Sequence, residues 1–161
     1  MYPALKNLKA SGKYIIAALS NTVNFPPGHA LHRPDFFSDP MRSLFDVFVS
    51  SAHVGMRKPD RKMYQYTLNE LDKFARSNAN SPRGQSLRWG EGIRPEDVVF
   101  LDDIGENLKA AKALGIQTLK VTLGKSFEAV DQLEAVTGLR LAGDHPRIPI
   151  QPKVKNSKAK I

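Results

Sequence analysis

Apolar positions along the chain fall into short blocks that alternate between two periods. Tyr14-Ile15-Ile16-Ala17-Ala18-Leu19 is an unbroken apolar run stopped by Ser20-Asn21, the pattern of a strand buried on both faces. Shorter runs follow at Val47-Phe48-Val49, Val98-Val99-Phe100-Leu101 and Thr118-Leu119-Lys120-Val121. Between them the period lengthens to that of a helix. Leu5 and Leu8 ahead of Gly12 predict the last turns of a helix within 1–11, closed by a left-handed glycine. Pro59 followed by Tyr64, Leu68, Leu71 and Ala75 predicts a helix over 59–75. Leu108, Ala111 and Leu114 before Gly115 predict another, and Phe127, Val130 and Leu133 a last one. Strands alternating with helices imply an open α/β fold with a mainly parallel sheet, in one domain over 1–143. Two stretches show neither period. Residues 24–40 hold Pro26, Pro27, Gly28, Pro34 and Pro40 and read as a long loop, and 77–92, rich in Ser, Asn, Gly and Arg, as an exposed inserted loop weakly pinned by Trp89.

Composition narrows the class. The 161 residues make one domain or part of one, and 41% hydrophobic with 25% charged residues is the balance of a globular chain. There is no cysteine, which excludes disulfides, thiolate metal sites and a cysteine nucleophile. The longest apolar run is too short to span a bilayer and the opening Met-Tyr-Pro-Ala is unlike a signal peptide, so a cytoplasmic protein without membrane association is expected. The net charge of +8 raises the question of nucleic acid, but much of it lies at the ends. Lys6, Lys9 and Lys13 open the chain, and Arg147, Lys153, Lys155, Lys158 and Lys160 close it against Asp144. With Pro146, Pro149 and Pro152 and no aromatic residue to stack on bases, 144–161 reads as a basic, solvated and mostly unfolded tail rather than a nucleic-acid arm.

In an open α/β sheet ligands bind at the carboxyl ends of the strands. Three of those ends carry polar groups: Ser20-Asn21, Lys58 in the loop after the second strand, and Asp102-Asp103 after the third. Taken singly, Ser20 suits a turn and Lys58 a surface position. The acidic pair is different, because adjacent carboxylates repel unless a cation or donor offsets them. Asn107 lies four residues after Asp103, so on a helix starting at Asp103 its amide returns to the same end. Such a corner can hold a hard cation such as Mg2+, which takes one or two carboxylates and completes its shell with water and phosphate oxygens. The alternative leaves Asp103 as a helix cap and Asp102 merely solvated. Together, a hydroxyl, a lysine and paired carboxylates are the parts needed to hold a phosphoryl group.

Receiver domains use similar parts, but with the acidic pair first and the lysine last, whereas here the order is Ser20, Lys58, Asp102-Asp103. That order resembles the haloacid dehalogenase-like hydrolases, in which a strand ends in Ser or Thr, a Lys-Pro follows and an acidic pair closes the set. Ala18-Leu19-Ser20-Asn21-Thr22, Val54-Gly55-Met56-Arg57-Lys58-Pro59 and Val99-Phe100-Leu101-Asp102-Asp103-Ile104-Gly105-Glu106-Asn107-Leu108-Lys109 are similar to the branch containing the amino-terminal phosphatase domain of soluble epoxide hydrolase. The resemblance implies that Ser20 and Asn21 bind the phosphoryl group of a small phosphorylated substrate. It implies further that Lys58 stabilises that group and the nucleophile, and that Asp103, with Asp102 beside it, holds Mg2+.

The family's enzymes also carry Asp-x-Asp at the end of a first strand, the first Asp as nucleophile and the second as general acid/base. No Asp-x-Asp occurs in this sequence. The expected fold is therefore a Rossmann-like core missing its first, central strand and most of the cap. The strands ending at Ser20 and Asp102 would then stand two spacings apart, ~9.6 Å, closed by direct pairing, by a strand from a second copy or missing amino-terminal segment, or not at all. Function follows as a phosphatase-type hydrolase inactive for want of its nucleophile. The alternatives are a phosphate- and Mg2+-binding pseudoenzyme or interaction module, and a basic nucleic-acid binder.

Overall fold

A computed structural model describes residues 1–23, 25–29 and 40–151. Most of the 24–40 loop and the tail beyond Gln151 therefore lie outside the described residues. The first helix, α1 (Tyr2–Ser11), ends at Gly12, whose φ of 67° lets its N–H close on the Lys9 carbonyl. Strand β1 (Ala17–Ser20) is shorter than the apolar run that predicts it, because Tyr14 to Ile16 lead into the strand rather than joining it. Strand β2 (Val47–Ser50) pairs with β1 in parallel, Ala17 opposite Val47 and Ser20 opposite Ser50. A single turn, α2 (Ser51–Val54), leads to α3 (Arg61–Ser77). Pro59 stands outside α3, after a cis Lys58–Pro59 peptide, and Asp60 is the cap, accepting from the Lys62 N–H at 2.9 Å. Then come β3 (Val99–Asp102), α5 (Gly105–Lys112), β4 (Gln117–Lys120) and α6 (Ser126–Thr137). No helix among the described residues is long and apolar enough to cross a membrane.

The sheet is parallel but divided. β1 pairs with β2 and β3 with β4, Val99 opposite Gln117 and Asp102 opposite Lys120, and the two pairs share no backbone ladder. Direct pairing of β1 with β3 is not the way the gap is closed. Side chains join the halves instead, because successive strand residues point to opposite faces. On one face Ile16, Val99, Leu101 and Leu119 pack with Ala4 and Leu8 of α1 and Val130 and Leu133 of α6. On the other, Leu19 and Phe100 pack with Tyr64 and Leu68 of α3 and Ala111 of α5, and the Tyr64 and Phe100 rings meet edge to face at 5.8 Å.

Residues 77–92 differ from the expected exposed loop. They form α4 (Pro82–Ser86) and a 3-10 turn, Trp89–Glu91. Ser81 caps α4 by accepting from the Gly84 N–H, and a Cβ at Gly84 would lie 2.1 Å from the Asn78 carbonyl oxygen, so the turn closes only over glycine. Trp89 is 6% exposed and packs against Phe74, with the Arg83 guanidinium 4.7 Å above its ring. Arg83 donates to the carbonyls of Gly12 and Tyr14 and pairs with Asp46. Asp46, whose side chain is 8% exposed, also accepts from Lys9 Nζ and the Ile16 N–H. Periodicity missed this clamp because its helices are too short to show one. The described start of the tail is also engaged. Arg147 forms a two-pronged pair with Asp131, and the Ile150 N–H donates to the Gly124 carbonyl.

Trp89→Ala is therefore expected to lower stability by about 3 kcal/mol, the usual cost of emptying a buried aromatic site, as read from urea unfolding. A free loop would lose almost nothing.

Candidate active site

The carboxyl ends of β1 and β2 lie together in their parallel pair, and Lys58 joins the end of β1 to the end of β3, where the residues picked from the sequence lie. Lys58 is the centre of the arrangement. Its Nζ donates to the Leu19 carbonyl at 2.8 Å and to Asp102 Oδ2 at 2.6 Å, and lies 5.4 Å from the centre of the Phe100 ring. The side chain is only 10% exposed. One ammonium thus spans from Leu19 near the end of β1 to the last residue of β3, across the divide in the sheet. Its main chain is fixed by Asn21, which donates through Nδ2 to the Lys58 carbonyl at 3.0 Å and accepts the Lys58 N–H on Oδ1 at 2.8 Å. The Asn21 side chain is thereby committed to positioning the lysine.

The acidic pair divides into two roles. Asp102 is 7% exposed, and its Oδ1 accepts from the Ile104 N–H at 2.8 Å and from Asn107 Nδ2 at 3.1 Å. Burial pushes the Asp102 carboxyl up, but the hydrogen bonds from Lys58, Ile104 and Asn107 and the lysine charge outweigh it, and the group is held below the ordinary carboxylate value. Asp103 is exposed and takes no protein partner among the described residues. The helix begins at Gly105 with Ile104 as its cap, so Asp103 is not the cap and the Asn107 amide reaches Asp102 instead. Asn107 is itself buried, and its carbonyl accepts from the Tyr64 hydroxyl at 2.9 Å. Burial, reinforced by the Asp102 charge, raises the Tyr64 phenol to about 12, so this donor stays protonated at neutral pH.

Ser20 is half-buried, and its hydroxyl has no partner among the described residues. Beside it lies a hydroxyl cluster that the sequence reading missed. Thr22 Oγ1 bonds Ser50 Oγ, the Thr22 N–H donates to Ser51 Oγ at 2.8 Å, and Ser51 Oγ donates to the Thr22 carbonyl at 3.1 Å. This cluster ties the loop after β1 to the first turn of α2. Ser50-Ser51 at the end of the second apolar run was the available signal, since the strand-end rule that selects Ser20 selects it too.

For the Mg2+ implied by the family resemblance Asp103 is the available donor of the pair, because both oxygens of Asp102 already accept from protein donors. Asp103 offers an exposed carboxylate free of protein donors, and Asp102 lies next to it with one oxygen shared with Lys58. No group of three or more potential ligand residues gathers among the described residues, so water and substrate oxygens would complete the shell.

A family model described as haloacid dehalogenase-like hydrolase matches residues 1–115. Bifunctional epoxide hydrolase 2 of Rattus norvegicus is 32% identical over 67% of this chain and 16% of its own length. Sesquiterpene phosphatase astK of Aspergillus oryzae is 29% identical over 76% of this chain and 49% of its own. A solved dehalogenase, determined with an intermediate complex, shares the fold with a TM-score of 0.55 at 17% identity, covering 86% of this chain and 55% of that one. The chain spans between 12% and 49% of the length of the curated relatives it matches.

A carboxyl held below its ordinary value stabilises the fold above that value and stops doing so as pH falls through the folded one. Asp102→Asn should therefore cost about 3 kcal/mol at neutral pH by leaving Lys58 uncompensated, and the difference from wild type should shrink below about pH 4. Urea midpoints at a series of pH values measure this. A difference unchanged down to strong acid would mean that the pair is not ionic.

Proposed function

Because the chain belongs to the haloacid dehalogenase-like hydrolases, we propose that it forms the phosphoryl-holding half of a phosphatase-type site for a small phosphorylated substrate in the cytoplasm. The observation that carries this reading is the placement of Lys58 Nζ on both the Leu19 carbonyl and Asp102, where a cation faces the mouth of the divided sheet. Ser20 donates its free hydroxyl to a phosphoryl oxygen. Lys58 neutralises the charge of the phosphoryl group and of the carboxylate that attacks it. Asn21 positions Lys58 from one side, and Asp102 from the other through its bonds to Ile104 and Asn107. Asp103, with Asp102 beside it, holds Mg2+, which when bound supplies charge neutralisation on the transferring oxygens.

The attacking carboxylate is not among these residues, since the sequence contains no Asp-x-Asp. In this reading a strand carrying that motif enters between β1 and β3, where two edges stand without a ladder between them. Its first carboxylate attacks phosphorus as the bond to the leaving oxygen breaks, and its second donates a proton to that oxygen. The strand comes from elsewhere in a longer protein or from a second molecule. Without it, the open edges favour self-association.

The 161-residue chain is expected to show no turnover of an aryl phosphate with Mg2+. A strand bearing Asp-x-Asp, fused or added in trans, should bring hydrolysis and a higher unfolding midpoint together. In that completed protein, Lys58→Ala and Asp103→Ala should each lower kcat by about 10²-fold or more. Metal-dependent turnover by the chain alone, abolished in Asp103→Asn, would show that another residue attacks. Full activity of completed Asp103→Ala would remove the metal assignment.

A further inference from the structure

We propose that the cleft between α1, α6 and segment 144–150 is a binding site for an uncharged, largely hydrocarbon small molecule. The cleft measures about 680 Å3, within the ~300–1,000 Å3 of small-molecule sites. Its walls come from separate parts of the chain: Ala4 of α1, Leu123 in the loop after β4, Phe127 and Val130 of α6, and Ile148 and Ile150 of segment 144–150. None of these residues belongs to the candidate active site.

Segment 144–150 is fixed in place rather than passing by. Arg147 donates from both terminal nitrogens to the two carboxylate oxygens of Asp131, at 3.0 and 2.6 Å, and the Ile150 N–H donates to the Gly124 carbonyl at 2.8 Å. The approach at Gly124 needs a glycine, because a Cβ there would collide with the Ile150 carbonyl oxygen. The pinned segment nevertheless leaves large apolar groups in water: Ile148 is 69% exposed, Ile150 75%, and Leu123, beside Gly124, 73%. Ordering a chain costs entropy, and exposed isoleucines return none of it, whereas a hydrocarbon ligand in the cleft removes apolar surface of all three from water. The side chains along the cleft also set the charge of the ligand. Among the described residues no Asp or Glu lines it, which leaves a cation without a partner. An anion is offered only Arg147, already held by Asp131, and His145, which is exposed to water. A charge buried without a partner is costly, so a neutral molecule fits.

The test uses the full 161-residue chain with N-phenyl-1-naphthylamine, a neutral apolar dye that brightens when removed from water, and decanol as its competitor. The dye should bind and decanol should displace it. Decanoate, the same chain ending in a charge, should displace it about tenfold less well or worse. The double variant Ile148→Lys, Ile150→Lys alters exposed positions only. It should keep the wild-type circular dichroism and bind the dye about tenfold more weakly or worse. Gly124→Ala, which displaces Ile150, should weaken the dye as well, while Asp103→Ala should leave its affinity unchanged. The wild-type measurement stands even where Gly124→Ala fails to fold. Four results each overturn the proposal: no dye binding by the full chain, unaltered dye affinity in the folded double variant, equal displacement by decanol and decanoate, or loss of the dye in Asp103→Ala. A chain that binds no dye but passes from dimer to monomer in the double variant has a second copy over the cleft instead.

Discussion

The ammonium of Lys58 sets the terms for the rest of this structure. Two pairs of parallel strands stand without a ladder between them, and at their carboxyl ends the lysine joins Leu19 of β1 to Asp102, the last residue of β3. A flexible four-carbon stem lets the compact charge reach across, while its methylenes and the nearby Phe100 ring keep water from the ion pair. The pairing is hydrogen-bonded on both sides, the condition under which a nearly buried ion pair can offset its own desolvation. The same contact closes a structural gap and holds a cation at the carboxyl ends of the strands.

At the opposite end of the strands a second polar knot does a related job with different chemistry. Asp46, just before β2, accepts from the Ile16 N–H just before β1, from Lys9 of α1 and from Arg83 of α4. Arg83 extends the knot to the carbonyls of Gly12 and Tyr14 after α1 and to the face of Trp89. β1 and β2 are therefore held at both ends, by Asp46 where they enter and by Thr22, Ser50 and Ser51 where they leave. Fixing both ends holds these short strands in constant register.

The division of labour within Asp102-Asp103 shows how a fold makes two chemically identical neighbours unlike. Asp102 ends β3 and turns inward to three donors, whereas Asp103, already past the strand, is left in solvent. The inward one positions Lys58 and the first turn of α5, and the outward one has no protein partner among the described residues. The family to which the chain belongs supplies the setting in which such a pair makes chemical sense.

The sequence by itself determined the order of strands and helices, the parallel sheet, and the choice of Ser20, Lys58 and Asp102-Asp103. These rest on short-range regularities: an apolar run, a helical repeat, a glycine after α1, a polar residue where a buried strand stops. It also determined that no Asp-x-Asp occurs, since that is a matter of which residue types stand where. Tertiary structure alone decided the rest. It gave Asn21 to the main chain of Lys58, turned Asn107 to Asp102, placed Pro59 outside α3, and folded 77–92 into a clamp around Trp89. Each of these outcomes depends on partners tens of residues apart or on where a neighbour's backbone points, and no local period encodes that. The division of the sheet has the same cause, because strand pairing needs two edges in space, and the chain brings β1 and β3 into shared cores without bringing their edges into a ladder.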